Sequence, residues 1–332
     1  MKIQITMIGL GQIGGSIGLA LASKSELIDR IGYDVDPKAM RQASKLGVVD
    51  KTSMNLSKVL KTSDALLMAL PTDEMRPMME ELVPLMKPNA ILLDTSLSKE
   101  KTAAWAAELL PEGCYYVGLT PVINPAYWST TTTGIESARA DMFHNGMMVI
   151  TSPPNTDAKA VKFAADLTQL LDASVLFADI LEVDSIMAAT QTVPQLLSAA
   201  LLNATVNLPN WSEAGKFAGR TYADLTGLVE YVGSPDSITA NAVQNREHVL
   251  RALDSLINSI RTLRDDIHAE DADTLNQQLE SAYQGRQKWW IDRHPELRPA
   301  QANPFKKQTI SSMMFGDLFR SRRKKEDEEN QE

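Results

Sequence analysis

The chain has 332 residues, a formal net charge of -9, and a composition of 44% hydrophobic and 23% charged residues. This length exceeds the size at which one hydrophobic core usually stops growing, so we expect two domains. The acidic balance argues against binding to nucleic acid by general phosphate attraction. We find neither an apolar run of about 18 residues that could span a bilayer nor a signal-peptide pattern. A cytoplasmic protein without membrane or nucleic-acid partners is therefore expected.

Residues 1–178 alternate short apolar runs with helical stretches. This alternation is typical of βαβ units that build a mostly parallel sheet. The runs are short and apolar throughout, as strands covered on both faces should be. The predicted strands are Ile3–Ile8, Arg30–Asp34, Ala65–Ala69, Ala90–Asp94, Cys114–Gly118, Met147–Thr151 and Ser174–Phe177.

Residues 179–292 have a different pattern and are predicted to form a separate, all-helical domain. The predicted helical stretches are Ile180–Asn207, Glu213–Val232, Ile238–Ile267 and Ala272–Trp290. Within the third stretch, apolar residues recur three and four positions apart, which gives one apolar face. Three prolines then break regular structure, and residues 293–332 are predicted to be a mobile, charged tail.

A glycine-rich motif joins the first predicted strand to an apolar helix. By itself, three glycines at this spacing are a weak signal, but the strand before them and the helix after them are the context that a dinucleotide requires. Gly9 would allow a tight turn, Gly11 would let the backbone approach a pyrophosphate, and Gly14 would let the helix pack close to the strand. The pyrophosphate would then lie on the free N–H groups of a helix that begins near Gln12 and Ile13.

An acidic residue ends the second predicted strand about 20 residues later. Asp34 is placed to accept hydrogen bonds from the adenosine ribose hydroxyls, and with Asp36 close behind it would repel a 2'-phosphate. We therefore predict NAD rather than NADP, although Lys38 and Arg41 keep NADP open. Leu70 and Pro71 follow the next strand and complete the predicted cofactor contacts.

Four stretches of the chain resemble the prephenate and arogenate dehydrogenase family, with similarity from residue 3 to about residue 290. They are Gly9–Ser16, Gly32–Asp34, Asp94–Lys99 and Ala140–Pro153. The resemblance implies a Rossmann-type dinucleotide-binding domain followed by a helical domain that dimerises. It also implies a cleft in which the nicotinamide takes a hydride from a cyclohexadienyl ring as carbon dioxide leaves, a reaction of tyrosine biosynthesis.

The chain departs from that family on the substrate side. A Gly-Gly-His-Pro motif supplies the family's histidine, which hydrogen-bonds the ring hydroxyl and accepts its proton, whereas the matching residues here are Gly118-Leu119-Thr120-Pro121. A second family motif, Ser-His-x-Pro-His, matches residues 191–195, where Thr192 and Gln195 replace both histidines. The arginine that the family uses for a substrate carboxylate falls near Gly227. An unassisted threonine hydroxyl is a poor base near neutral pH, so these losses suggest an altered small carboxylated substrate.

Other polar residues follow strand ends, where open α/β sheets bind their ligands. Ser96 and Thr120 are candidates to contact the substrate, with Thr192 and Gln195 facing them from the helical domain. Lys99 would be a general acid if burial lowered its pKa, or else projects into solvent at a helix start. Asp94 is interpreted as a cap for the following helix. No group of side chains has metal-ligand spacing, so no metal site is predicted.

Three functions remain open from the sequence. The first is an NAD(P)-dependent oxidoreductase resembling prephenate dehydrogenase, and the second is a 3-hydroxyacid type of dehydrogenase. The second group uses a lysine on the first long helix of its second domain, and residues 186–207 contain none. The third is a non-catalytic NAD-binding sensor or structural subunit, which would dimerise through its helices.

Overall fold

The computed structural model describes residues 2–130, 132–231 and 233–294. By its contacts the chain divides into two compact units, Met1–Asp271 and Ala272–Glu332. The first unit contains a β-sheet, the helices that connect its strands and most of the helices that follow it. The described part of the second unit is one helix. The tail predicted over residues 293–332 lies outside the described residues beyond His294.

Eight strands form one sheet at the centre of the first unit. They are β1 (Ile3–Ile8), β2 (Ile28–Tyr33), β3 (Lys51–Thr52), β4 (Ala65–Met68), β5 (Ile91–Asp94), β6 (Tyr115–Val122), β7 (Met147–Thr151) and β8 (Ser174–Phe177). Their order is β3-β2-β1-β4-β5-β6-β7-β8. Only the β6–β7 pair among these is antiparallel. The predicted Rossmann-type, mostly parallel sheet is confirmed.

Six helices connect these strands. They are α1 (Gln12–Ala20), α2 (Pro37–Leu46), α3 (Leu56–Leu60), α4 (Thr72–Leu82), α5 (Lys99–Leu109) and α6 (Ala158–Leu170). Local signals explain α2, because the Asp36 side chain accepts from Lys38 N, Pro37 opens the helix and Gly47 ends it in the left-handed region at φ 72°. One core cluster packs Met75 and Met79 of α4 on the buried strands β4 and β5.

Within the residues that the structure describes, eight further α-helices follow the sheet. They are α7 (Ile180–Met187), α8 (Val193–Val206), α9 (Trp211–Ala214), α10 (Arg220–Thr226), α11 (Leu228–Tyr231), α12 (Pro235–Gln244), α13 (Arg246–His268) and α14 (Ala272–Arg293). The predicted all-helical second half is confirmed, but its helices are more broken than periodicity suggests. A π-helical turn, Ala188–Thr192, separates α7 from α8. Pro194, in the first turn of α8, lacks the N–H that a continuous α-helix needs there.

Strand β6 differs from its prediction in a way that matters for the site. The sequence predicts an end at Gly118, but β6 continues to Val122 by antiparallel pairing with β7. Strand β5 pairs with β6 only as far as Gly118. Residues 119–122 therefore have a strand on one side only, which is where a sheet tolerates Pro121. Thr120 lies inside a strand, and the predicted strand end at Gly118 was wrong.

Candidate active site

The glycine loop between β1 and α1 has the shape that a dinucleotide requires. Gly9 has a φ of 85°, and a Cβ there would collide with the carbonyl oxygen of Ala69. A Cβ on Gly14 would collide with the carbonyl oxygen of Gly9, whereas a Cβ on Gly11 would meet nothing within 4 Å. Within the described residues no side chain caps α1, which begins at Gln12. Its first N–H groups are thus open to an anion.

Asp34 is held against this loop. Its Oδ2 accepts a hydrogen bond from Leu10 N at 2.8 Å, and its Oδ1 accepts one from Asp36 N at 2.9 Å. Each carboxylate oxygen can accept more than one hydrogen bond, so both retain capacity for ribose hydroxyls. Leu70 borders the same loop, because its Cδ2 lies 3.1 Å from a Cβ placed on Gly9, and Pro71 follows it as the residue before α4. The structure thus brings the predicted cofactor residues together at one edge of the sheet.

Lys99 is the first residue of α5 and is fully buried. Its Nζ donates to the Asp94 carbonyl oxygen at 2.7 Å, to Asp94 Oδ2 at 3.1 Å and to the Leu119 carbonyl oxygen at 3.0 Å. The ammonium group has three donors, and all three are used. Burial lowers the pKa of Lys99, against the opposing attraction and hydrogen bond of Asp94. The alternative that Lys99 projects into solvent was wrong.

Asp94 is the centre of this buried network. Its Oδ1 accepts from Ser96 N at 2.7 Å, while its Oδ2 accepts from Ser96 Oγ and from the Tyr116 hydroxyl, each at 3.0 Å. Burial raises the pKa of Tyr116 well above its usual value, and the charge of Asp94 adds to the rise. Ser96 is therefore committed to the network, and its hydroxyl also lies 3.0 Å from that of Thr102.

Helix α5 is capped from a distant part of the chain. Asp184 of α7 accepts from Lys99 N at 2.7 Å through Oδ1 and from Glu100 N at 2.9 Å through Oδ2. The interpretation of Asp94 as this cap was wrong, because its oxygens bind Ser96, Lys99 and Tyr116 instead. Burial raises the pKa of Asp184, and the two backbone hydrogen bonds oppose that rise. Neither Asp184 nor Tyr116 could be identified from the sequence, because their hydrogen-bond partners lie far away along the chain.

Thr120 is buried beside this network. Its hydroxyl has no hydrogen-bond partner among the residues that the structure describes. Thr192 ends the π-helical turn and Gln195 lies in the first turn of α8, and both side chains are also buried. The hydrogen bonds of the described residues do not join Thr120 to Thr192, so the predicted facing arrangement stays a prediction.

Among the residues that the structure describes, no histidine hydrogen-bonds the Thr120 hydroxyl. His144 is exposed and pairs with Asp172 at 2.6 Å. His248 is half-buried, and its Nδ1 lies 2.9 Å from Asn245 Oδ1. The Asn245 amide in turn donates to the carbonyl oxygen of Asp184 at 2.7 Å. His248 therefore packs behind Asp184.

The described residues contain neither a candidate membrane-spanning helix nor a candidate metal site. No helix in residues 2–130, 132–231 and 233–294 is both long enough and apolar enough to cross a membrane. The same residues contain no group of three His, Cys, Asp or Glu side chains that could hold a metal ion.

Comparison with known proteins covers both halves of the chain. The family model "Prephenate dehydrogenase, nucleotide-binding domain" matches residues 17–177, and "Prephenate dehydrogenase, dimerization domain" matches residues 181–281. Prephenate dehydrogenase of Bacillus subtilis is 26% identical over 284 residues, which cover 85% of this chain and 75% of that protein. Cyclohexadienyl dehydrogenase of Zymomonas mobilis is 21% identical over 286 residues, which cover 85% and 94%.

Two solved structures show the same fold. Synechocystis arogenate dehydrogenase has a TM-score of 0.69 at 23% identity, and the match covers 86% of this chain and 100% of that protein. Prephenate dehydrogenase from A. aeolicus, in complex with hydroxyphenyl propionate and NAD+, has a TM-score of 0.76 at 20% identity, covering 87% and 98%. With both family models matched along most of its length, the chain belongs to the prephenate dehydrogenase family of NAD(P)-dependent oxidoreductases.

Proposed function

We propose that this protein is an NAD-dependent dehydrogenase that oxidises a small carboxylated cyclohexadienyl compound of the prephenate or arogenate type. The observation that carries the proposal is the Asp34 carboxylate, fixed 2.8 Å from Leu10 N on a glycine loop whose helix start is open. Asp34 would bind the ribose hydroxyls and disfavour a 2'-phosphate. Bound NAD would supply the hydride acceptor.

The proposed substrate end of the site is the region around Thr120. Its unpartnered hydroxyl can donate to, or accept from, a ring hydroxyl, and such a contact would orient the substrate. It cannot act as an efficient base, because the family's imidazole is absent from this position. We propose that Thr192 and Gln195 border the same substrate and that Ser96 and Lys99 act from behind Thr120.

The assembly and organisation follow the family. We propose a cytoplasmic homodimer formed through the helical domain, since the model that matches residues 181–281 is a dimerization domain. We also propose a dinucleotide domain over residues 1–178, a helical domain over 179–292 and a tail over 293–332. The end of β8 at Phe177 and the start of α7 at Ile180 support the first boundary.

The burial of Thr120 favours a second candidate, a non-catalytic NAD-binding dimer. Thr120 is only 1% exposed. A substrate can reach this hydroxyl only if neighbouring side chains move. A protein that binds NAD without oxidising a substrate would not need that movement.

The deciding experiment measures NADH or NADPH formation with prephenate and with arogenate, each with NAD and NADP. We expect turnover with NAD, and Thr120→His should raise it by about 100-fold or more by restoring a general base. Thr120→Val, which keeps the shape without the hydroxyl, is the matched variant and should lower turnover.

Three results would count against these assignments. NAD binding without turnover of either compound would support the non-catalytic dimer. Equal turnover by Thr120→Val and the natural protein would remove Thr120 from the site. A preference for NADP would overturn the role of Asp34.

A further inference from the structure

We propose that Lys99 and Asp184 are positioning residues that together set Thr120 against the cofactor edge of the sheet. Lys99 holds the carbonyl group next to Thr120, and Asp184 holds the backbone that carries Lys99. This inference rests on the proposed role of Thr120 in the dehydrogenase reaction. Neither residue is proposed to touch the substrate.

The first step concerns the carbonyl of Leu119. Strand β5 pairs with β6 only up to Gly118, so the carbonyl of the next residue has no β5 partner. A buried carbonyl without a donor costs free energy. The Lys99 ammonium fills this gap at 3.0 Å from the Leu119 oxygen. Lys99 thus replaces the missing strand and fixes the backbone one residue before Thr120.

The second step concerns the space through which the lysine passes. A Cβ on Gly118 would collide with Thr151 Oγ1, and it would lie 2.9 Å from Lys99 Cδ and 3.1 Å from the Tyr116 hydroxyl oxygen. The absence of a side chain at Gly118 therefore leaves room for the lysine stem to cross β6. The glycine at position 118 of β6 therefore helps to determine where the Lys99 side chain lies.

The third step concerns what holds the start of α5. Ser98, the residue before the helix, makes no capping hydrogen bond with any described residue. Asp184 caps Lys99 N and Glu100 N across 85 and 84 residues of sequence. Asn245 donates to the Asp184 carbonyl oxygen at 2.7 Å. Asp184 of α7, held by Asn245 from the residue before α13, thus fixes the start of α5.

The fourth step is electrostatic. Lys99 and Asp94 are both completely buried, so removing one charge alone would leave the other uncompensated and destabilise the protein. A useful variant removes both charges and keeps both shapes. Lys99→Met with Asp94→Asn does this and also takes away the donor to Leu119.

The chain offers a matched control at another ion pair. Arg30 and Asp50 join at 2.7 Å beside β2, where Arg30 also donates to three backbone carbonyl groups. The pair Arg30→Met with Asp50→Asn makes the same chemical change away from Thr120. It should leave the site intact.

The first test is amide hydrogen exchange of the peptide that contains residues 115–122. In the Lys99→Met/Asp94→Asn protein we expect exchange there to be at least about 10-fold faster, which corresponds to roughly 1.4 kcal/mol. Exchange in β1 should be unchanged, and the Arg30→Met/Asp50→Asn control should keep the natural rate at residues 115–122. Equal rates in both double variants would overturn the proposal.

The second test separates kcat from KM with whichever compound the natural protein oxidises. The Lys99→Met/Asp94→Asn protein should lose about 10-fold or more in kcat at an unchanged KM for NAD. Asp184→Asn keeps an acceptor oxygen and should retain more kcat than Asp184→Ala. If kcat falls only in proportion to the folded fraction, and falls equally in the control, then Lys99 and Asp184 stabilise the fold and do not position Thr120. If the natural protein oxidises neither compound, the proposed function fails, and the exchange test still decides the positioning role.

Discussion

Two ion pairs lie beside strands of the same sheet, and they differ in whether hydrogen bonds and charge outweigh the effect of burial. In the Arg30–Asp50 pair, the Asp50 side chain is 35% exposed, whereas Lys99 and Asp94 are both 0% exposed. Burial alone would raise the pKa of Asp50, but hydrogen bonds from Arg30 outweigh it and the pKa is lowered. For Lys99 burial outweighs its partners, and its pKa is lowered.

The difference indicates what each pair does for the protein. The Arg30–Asp50 pair favours its charged form and holds the turns around Gly47, so it stabilises the fold. In the Lys99–Asp94 pair burial disfavours the charged form of Lys99, and an ion pair buried in this way is costly unless every hydrogen bond is made. A costly pair beside a ligand-binding edge is a candidate for function, because active sites are where such costs are tolerated.

The largest expected effect comes from breaking the fully buried pair on one side. Lys99→Met leaves the Asp94 carboxylate buried without a counter-charge, so the free energy of unfolding should fall by about 3–5 kcal/mol. Adding Asp94→Asn should recover most of that loss, since the uncompensated charge disappears. Urea denaturation measures both values. A single Lys99→Met variant as stable as the natural protein would show that the ion pair does not stabilise the fold.

A smaller effect is expected from filling the space that Lys99 crosses. Gly118→Ala places a methyl group against Thr151 Oγ1 and Lys99 Cδ, and should lower the free energy of unfolding by about 1–3 kcal/mol. The same substitution at Gly285, a helical position with open space at Cβ, should be neutral or slightly stabilising. Thermal and urea unfolding of the two variants test the contrast. Equal stabilities would mean that β6 relaxes to admit the methyl group.

The smallest effect is a pH dependence of the partly exposed pair. The pKa of Asp50 in the folded protein is lower than its ordinary value of 3.8. Its contribution to stability is therefore present above about pH 3.8 and is lost as the pH falls through the folded pKa. Urea unfolding from pH 7 to pH 3 should show that Arg30→Met differs from the natural protein less at the acid end. A difference that grows toward low pH would contradict this sign.

The glycine loop and Asp34 could be predicted from local sequence patterns. The glycine loop and Asp34 were predicted as one unit, and the structure places Asp34 Oδ2 on Leu10 N. Leu10 and Asp34 are 24 positions apart, so strand, turn and helix signals act on the same short segment. Three strands have the predicted bounds, and the short strand β3 was missed because two residues carry no pattern.

The region around Lys99 and Thr120 could not be predicted in the same way. From the sequence, the burial of Lys99 stayed open. Asp94 was predicted to cap the helix that starts at Lys99, and β6 was predicted to end before Thr120. Each of these depended on a segment that pairs or packs from elsewhere in the chain. The antiparallel strand β7 carries β6 past Gly118, and Asp184 comes from the helical half.

The sequence by itself therefore determined the family, the Rossmann-type and helical halves, and the residues of the cofactor loop. Hydrophobic periodicity and glycine spacing are local properties, and each can be read without knowing where the chain returns. Only the tertiary structure decided that Lys99 is buried against Asp94 and Leu119 and that Asp184 caps its helix. A buried charge is stable only where distant groups supply its hydrogen bonds, and the fold alone brings those groups to it.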